Sequence, residues 1–200
     1  MEQINIAAFL AINGSAQSPI VLVQFALILA NYSVLAIALW LILAWVRGTA
    51  LRRRHLIEAT TAALFGLGYV QLITLIYRHP RPFQLGLGQQ LMPHLPDASF
   101  PSDHGTLFFA LAFSFFLHPE TRRIGAAVAA LGCGVAWARV FLGVHFPFDM
   151  LGSAVLAGAM AKAVAALPQR WRVGVTLGLS AIYHKLLDVL HLPAALFPRP

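Results

Sequence analysis

Apolar runs close in length to a bilayer crossing recur along almost the whole chain, and this recurrence limits the fold more than any other feature. A helix needs about 20 apolar residues to cross ~30 Å of hydrocarbon, because the backbone N–H and C=O groups of a span must be bonded within it. Such runs cover residues 30–46, 56–77, 102–117, 124–142 and 149–167, while residues 173–190 read either as a sixth span or as an amphipathic helix on the membrane face. The expected fold is therefore all-α, a polytopic transmembrane helix bundle of five spans, or six if the last segment also crosses. Hydrophobic residues make up 59% of the chain and charged residues 10%, against roughly 25% charged in soluble domains. The runs extend over the full length, so residues 1–200 read as a single domain. Residues 1–16 lack a positively charged start and contain Glu2, Asn5 and Asn13, which suits a short interfacial helix retained in the mature protein better than a cleaved signal. Cys133, the single cysteine, has no intramolecular disulfide partner and reads as core packing.

The net charge is +7, yet most of the basic residues fall in short connections between spans. Arg47, Arg52 to Arg54, Arg122, Arg123, Arg170 and Arg172 alternate with the spans so that all lie on one side, the cytoplasmic one by the positive-inside rule. Orientation accounts for these cations, and nucleic acid is excluded as a partner. It does not account for Arg78, Arg81 and Arg139 at the opposite ends of the second and fourth spans. Ser102, Asp103, His104, His145 and Asp149 are expected at that same depth, carried by different spans.

Three short clusters carry this remainder. Pro101-Ser102-Asp103-His104 stands at the seam between a proline-punctuated loop and an apolar run, where Pro101 suits a first helical turn whose N–H groups lack intrahelical partners. A helix start of this kind suits an anion. Arg139, His145 and Asp149 form the second cluster, and the four-residue spacing of the last two lets the carboxylate accept a hydrogen bond from one imidazole nitrogen while the other stays free to attack. Arg78-His79-Pro80-Arg81-Pro82 adds two guanidinium groups, whose planar fork of donors matches phosphate oxygens. One imidazole and one carboxylate among arginines make a poor cation site, so no catalytic metal is expected. His55, His79, His94 and His118 read as loop histidines outside the chemistry, and Glu58 and Lys162 as residues that snorkel or pair at the other membrane face. Tyr77, Phe83, Phe100, Phe146 and Phe148 fit an interfacial aromatic belt.

In these clusters the chain resembles the type 2 phosphatidic acid phosphatase superfamily, whose pattern runs Lys-x6-Arg-Pro, then Pro-Ser-Gly-His, then Ser-Arg-x5-His-x3-Asp. Arg81-Pro82 matches the end of the first element, Pro101 to His104 the second, and Arg139, His145 and Asp149 the third, over residues 74–149. Three departures stand out: Thr74 occupies the position of the lysine, Ala138 that of the serine before Arg139, and Asp103 that of the glycine. Arg78 is the candidate substitute for the missing lysine. Ser-Phe-Pro-Ser-Asp-His is similar to the bacitracin-resistance-type undecaprenyl pyrophosphate phosphatase subgroup.

The resemblance implies a cofactor-free hydrolase of the bacterial cytoplasmic membrane, acting on a lipid diphosphate on the extracytoplasmic side. It implies His145 as nucleophile, Asp149 as its orienting partner, and His104 as the acid that protonates the departing oxygen. Arg81, Arg139, Ser102 and Arg78, with Asp103 beside them, form the implied phosphate-binding set. Asp103 is expected to pair with Arg78 or His79, or to keep His104 protonated. The implied substrate is undecaprenyl diphosphate. A phosphatase for phosphatidate or phosphatidylglycerophosphate needs the same residues, and a drug-resistance transport component without hydrolysis is the reading from a different class.

Overall fold

A computed structural model describes residues 1–191 and residue 197. Its helices are α1 (Glu2–Ile12), α2 (Ile20–Val46), α3 (Ala50–Ile76), α4 (Asp103–Phe116), α5 (Arg122–Phe141), α6 (Pro147–Ala165) and α7 (Gln169–Val189). Short 3-10 turns sit at Pro82–Leu85 and Pro119–Thr121. No strand occurs among the described residues. Among the described residues, four segments are long and apolar enough to cross a membrane: α2, α3, Pro119–Phe141 and α6. With α4 and α7 counted in the same bundle, the arrangement agrees with the five or six spans expected.

Helix α4 is the axis of the molecule. Its 14 residues rise only about 21 Å, less than the ~30 Å of a hydrocarbon layer, but it is enclosed by α3, α5 and α6. Phe108, Leu111 and Phe115 on α4 are buried together with Leu56 and Ala59 of α3, Val128 and Val135 of α5 and Ala157 of α6. Small residues allow the close approach that lipid-embedded packing requires. A Cβ on Gly105 would lie 2.9 Å from Ser153 Cβ of α6, so glycine there lets the start of α4 press against α6.

Several boundaries differ from those expected. Helix α2 runs unbroken from Ile20, because Asn31 and Tyr32 point outward while the helix satisfies its own backbone. Helix α3 begins at Ala50, capped by the Thr49 hydroxyl, which accepts from Arg52 N at 3.3 Å. Arg53 and Arg54 therefore belong to the helix, and Arg53 is buried under Trp45 and Tyr183. Cys133 is exposed on α5 and is not a core residue. Glu58 pairs with Arg54 at 2.9 Å, His118 at 2.8 Å and Arg172 at 3.0 Å, joining α3 to the α4–α5 connection and to α7.

The N-terminal segment does form a helix, and it closes the end of the bundle opposite Glu58. Phe9 packs edge-on against Phe146, with ring centroids 5.4 Å apart, and Asn5 Oδ1 accepts from Phe148 N at 3.0 Å. Asn13 Nδ2 donates to Gln89 O and Phe141 O, each at 3.0 Å, tying α1 to the loop after α3 and to the end of α5.

Candidate active site

Helix α5 ends in a tight turn at Gly143, whose φ of 81° is a backbone conformation that glycine adopts readily. The chain then passes through Val144 and His145 before Pro147 starts α6. This turn places His145 against the loop between α3 and α4. His145 Nδ1 lies 2.9 Å from Ser99 O and 3.4 Å from Asp149 Oδ2. A carbonyl oxygen only accepts, so Nδ1 carries the proton and Nε2 presents its lone pair. The shorter contact thus belongs to the Ser99 backbone, where the spacing alone suggested Asp149. Asp149 acts one step further out: its Oδ2 accepts from Phe146 N at 2.7 Å and from the Ser99 hydroxyl at 2.5 Å.

His145 Nε2 lies 3.1 Å from Arg81 Nη1, and both side chains are buried. Arg81 is held on every side: Nε donates to Asp97 Oδ1 at 2.7 Å, Nη1 to Val144 O at 2.7 Å and Nη2 to Ala98 O at 3.1 Å. Burial, followed by the positive charges of Arg81 and Arg139, pushes the His145 imidazole well below the usual histidine range. A neutral, nucleophilic ring is the consequence.

Arg139, in the last turn of α5, is buried, and its Nη2 lies 3.0 Å from His94 Nε2 while its Nε has no partner. His94 Nδ1 lies 3.0 Å from Leu95 O, which makes Nδ1 the protonated nitrogen and Nε2 the acceptor of the Arg139 N–H.

Ser102 caps α4, its hydroxyl accepting from Gly105 N at 3.3 Å. Ser102 N donates to Ser153 Oγ at 2.8 Å, and Ser153 Oγ donates to Asp149 O at 2.7 Å, so one α6 hydroxyl fixes the start of α4 relative to Asp149. His104, one residue into α4, lies within electrostatic range of Arg139, His94 and Arg81. Six sequence-predicted residues, Arg81, Ser102, His104, Arg139, His145 and Asp149, thus meet at one end of the bundle.

Two others are held differently. Asp103 accepts from Gln71 Nε2 of α3 at 3.1 Å instead of pairing with Arg78 or His79, because its place in the first turn of α4 turns it toward α3. Arg78 is exposed and, among the described residues, makes no ion pair or hydrogen bond. It lines a cavity of about 480 Å³ together with Thr74, His79, Gln84 and Asp97. Thr74, at the position of the family lysine, bonds back to its own helix at Gln71 O. Among the described residues, no three His, Cys, Asp or Glu side chains are grouped to hold a metal ion.

Sequence reasoning missed Ser99, Ser153, His94 and Asp97. Ser99 stood next to a recognised cluster, but its main contact with His145 is through the backbone, which residue type does not reveal. His79 was placed outside the chemistry, yet its Nδ1 is buried without a hydrogen bond, 3.9 Å from Asp149 Oδ1.

Residues 54–172 match the family model described as the PAP2 superfamily. The chain is 38% identical over 153 residues to "Undecaprenyl-diphosphatase BcrC" of Bacillus subtilis (strain 168), covering 76% of this chain and 78% of that protein. It is 32% identical over 171 residues to "Bacitracin transport permease protein BcrC" of Bacillus licheniformis, covering 84% of this chain and 80% of that one. The crystal structure of Aquifex aeolicus LpxE superposes with a TM-score of 0.65 at 24% identity, over 81% of this chain and 94% of that one, which is a likeness of fold. With most of its length and its three clusters inside the matched region, the chain belongs to the PAP2 superfamily.

Proposed function

We propose that this membrane protein is an undecaprenyl-diphosphate phosphatase that works through a phosphohistidine. The observation that carries the reading is the state of His145: a buried ring with Nδ1–H held by Ser99 O and with Nε2 facing the Arg81 guanidinium. A terminal phosphate drawn to Arg81 would present its phosphorus to that lone pair. In the first half-reaction the Nε2–P bond forms as the bridging P–O bond breaks, and His104 gives its proton to the departing oxygen. The charge that develops on the imidazolium is met by Asp149 through the Nδ1 side, while Arg81, Arg139 and the Ser102 end of α4 hold the non-bridging oxygens. In the second half-reaction water attacks phosphorus, loses a proton to His104, and the P–N bond breaks to release phosphate.

The relatives' names favour a polyprenyl diphosphate over a monophosphate lipid. Arg78, the candidate substitute for the missing lysine, lines a cavity with His79 and Asp97, and in this reading it grips the second phosphate of such a substrate. Asp103 sits at the rim of the phosphate site, bonded to Gln71. The site lies at the end of the bundle away from Arg54, Arg122, Arg123 and Arg172, so the positive-inside rule faces it to the extracytoplasmic side of a bacterial cytoplasmic membrane. Hydrolysis there returns the lipid carrier as its monophosphate and removes the diphosphate that bacitracin sequesters.

The test is phosphate release by the purified protein from undecaprenyl diphosphate, phosphatidate and phosphatidylglycerophosphate. A highest kcat/KM on the first supports the reading, and a much higher value on either glycerolipid overturns the substrate assignment. The second relative's name carries a transport reading. Turnover by detergent-solubilised protein with no membrane to cross counts against it.

A further inference from the structure

The loop between α3 and α4 brings a negative charge onto the phosphate-binding cations. Asp97 Oδ1 lies 2.7 Å from Arg81 Nε, on the guanidinium whose Nη1 touches His145. The carboxylate side chain itself is 60% exposed, whereas that of Arg81 is 5% exposed. Three residues earlier, His94 contacts Asp97 at 3.6 Å and accepts from Arg139 Nη2 through Nε2. The two arginines are thus clasped by one short segment, and Arg139 Nε is left buried without a partner.

We infer that Asp97 is a built-in anion that competes with phosphate for Arg81, and so determines how weakly the site holds its product. The inference rests on the reading of Arg81 as a phosphate-binding residue. A phosphate dianion on the Nη1 side of Arg81, where His145 sits, shares one cation with the Asp97 carboxylate on Nε, and two anions held that close on one guanidinium repel. An exposed carboxylate gives up its partner to water at little desolvation cost, so it can swing aside and return. A lipid substrate has its chain to offset this competition. Free phosphate does not, and its release is favoured once the carboxylate returns. Asp97 acts on binding and release; it does not take part in bond making.

The experiment uses the full-length protein in detergent with inorganic phosphate and orthovanadate as probes. Each is titrated by calorimetry and, separately, as an inhibitor of hydrolysis. Asp97→Asn keeps an oxygen that accepts from Arg81 Nε and removes the charge, and Asp97→Ala guards against an effect special to asparagine. Both variants are expected to bind the two anions on the order of tenfold more tightly than the parent protein, with kcat lowered by slower product release. Unchanged or weaker anion binding in both would overturn the inference, because a carboxylate that only positions Arg81 loosens the site when removed. The calorimetric titration needs no turnover. A parent protein that binds phosphate but hydrolyses no lipid diphosphate would refute the proposed function while leaving the Asp97 result readable.

Discussion

His145 Nε2 and Arg81 Nη1 lie 3.1 Å apart, with the opposite ring nitrogen of His145 bonded to Ser99 O. The pair comes from the loop before α6 and the loop after α3, 64 positions apart in the chain. A proton fixed on Nδ1 leaves the lone pair aimed at the cation proposed to gather phosphate oxygens, which is the arrangement the proposed in-line attack on phosphorus needs.

Ser99→Ala is expected to lower kcat about tenfold with KM little changed. The hydroxyl on Asp149 is lost while the carbonyl on His145 stays, and a hydrogen bond to a charged group contributes roughly 1.5–3 kcal/mol. Steady-state kinetics on the purified variant, with its unfolding temperature as control, measure this. A rise in KM at constant kcat would count against the role.

Arg139→Lys is expected to lose about as much kcat/KM as Arg139→Ala, on the order of 100-fold. The Arg139 guanidinium works through separate nitrogens, Nη2 toward His94 and a bare Nε, and an ammonium reproduces only one such direction. Near-normal activity in the lysine variant would show that charge alone suffices.

Stability should fall as the solution is acidified below about pH 6.5. His145 is held neutral by burial beside Arg81 and Arg139, and His94 is lowered chiefly by burial. Unfolded, both bind protons below their ordinary pKa, so the unfolded state gains protons that the folded state refuses. The stabilisation is present above the unfolded pKa and is lost as pH drops toward the folded values. Thermal unfolding in detergent between pH 7.5 and 5.5 follows this, and His145→Gln should flatten the slope. An identical slope would place the titration elsewhere.

Gly105→Ala should cost roughly 1–3 kcal/mol and most of the activity, since its Cβ would lie 2.9 Å from Ser153 Cβ and force the start of α4 off α6. Chemical unfolding and turnover are the paired measurements. Parent-level stability and turnover in Gly105→Ala would show that α4 and α6 do not need that close approach.

The spans and the three clusters were legible because hydropathy and charge placement are properties of side-chain type. The boundaries of α2 and α3 were not, since Asn31, Tyr32 and Arg52 to Arg54 look like interruptions until helix geometry shows which way each points. The partner of Asp103 was misread for a similar reason: Gln71 lies on the preceding helix and carries no charge to attract notice. Ser99 reaches His145 and Asp149, and Ser153 reaches Ser102, across 46 to 51 positions, and no periodicity marks such residues.

The central claim is that His145 becomes phosphorylated, and trapping that intermediate tests it most directly. His104→Ala, supplied with undecaprenyl diphosphate labelled in its terminal phosphate, should accumulate label, because the leaving lipid phosphate depends less on protonation than the later attack of water depends on a base. After quenching and digestion, the label should map to His145, survive alkali and be lost in acid. Label on another residue, or turnover by the His145→Ala variant at the parent rate, would contradict the account.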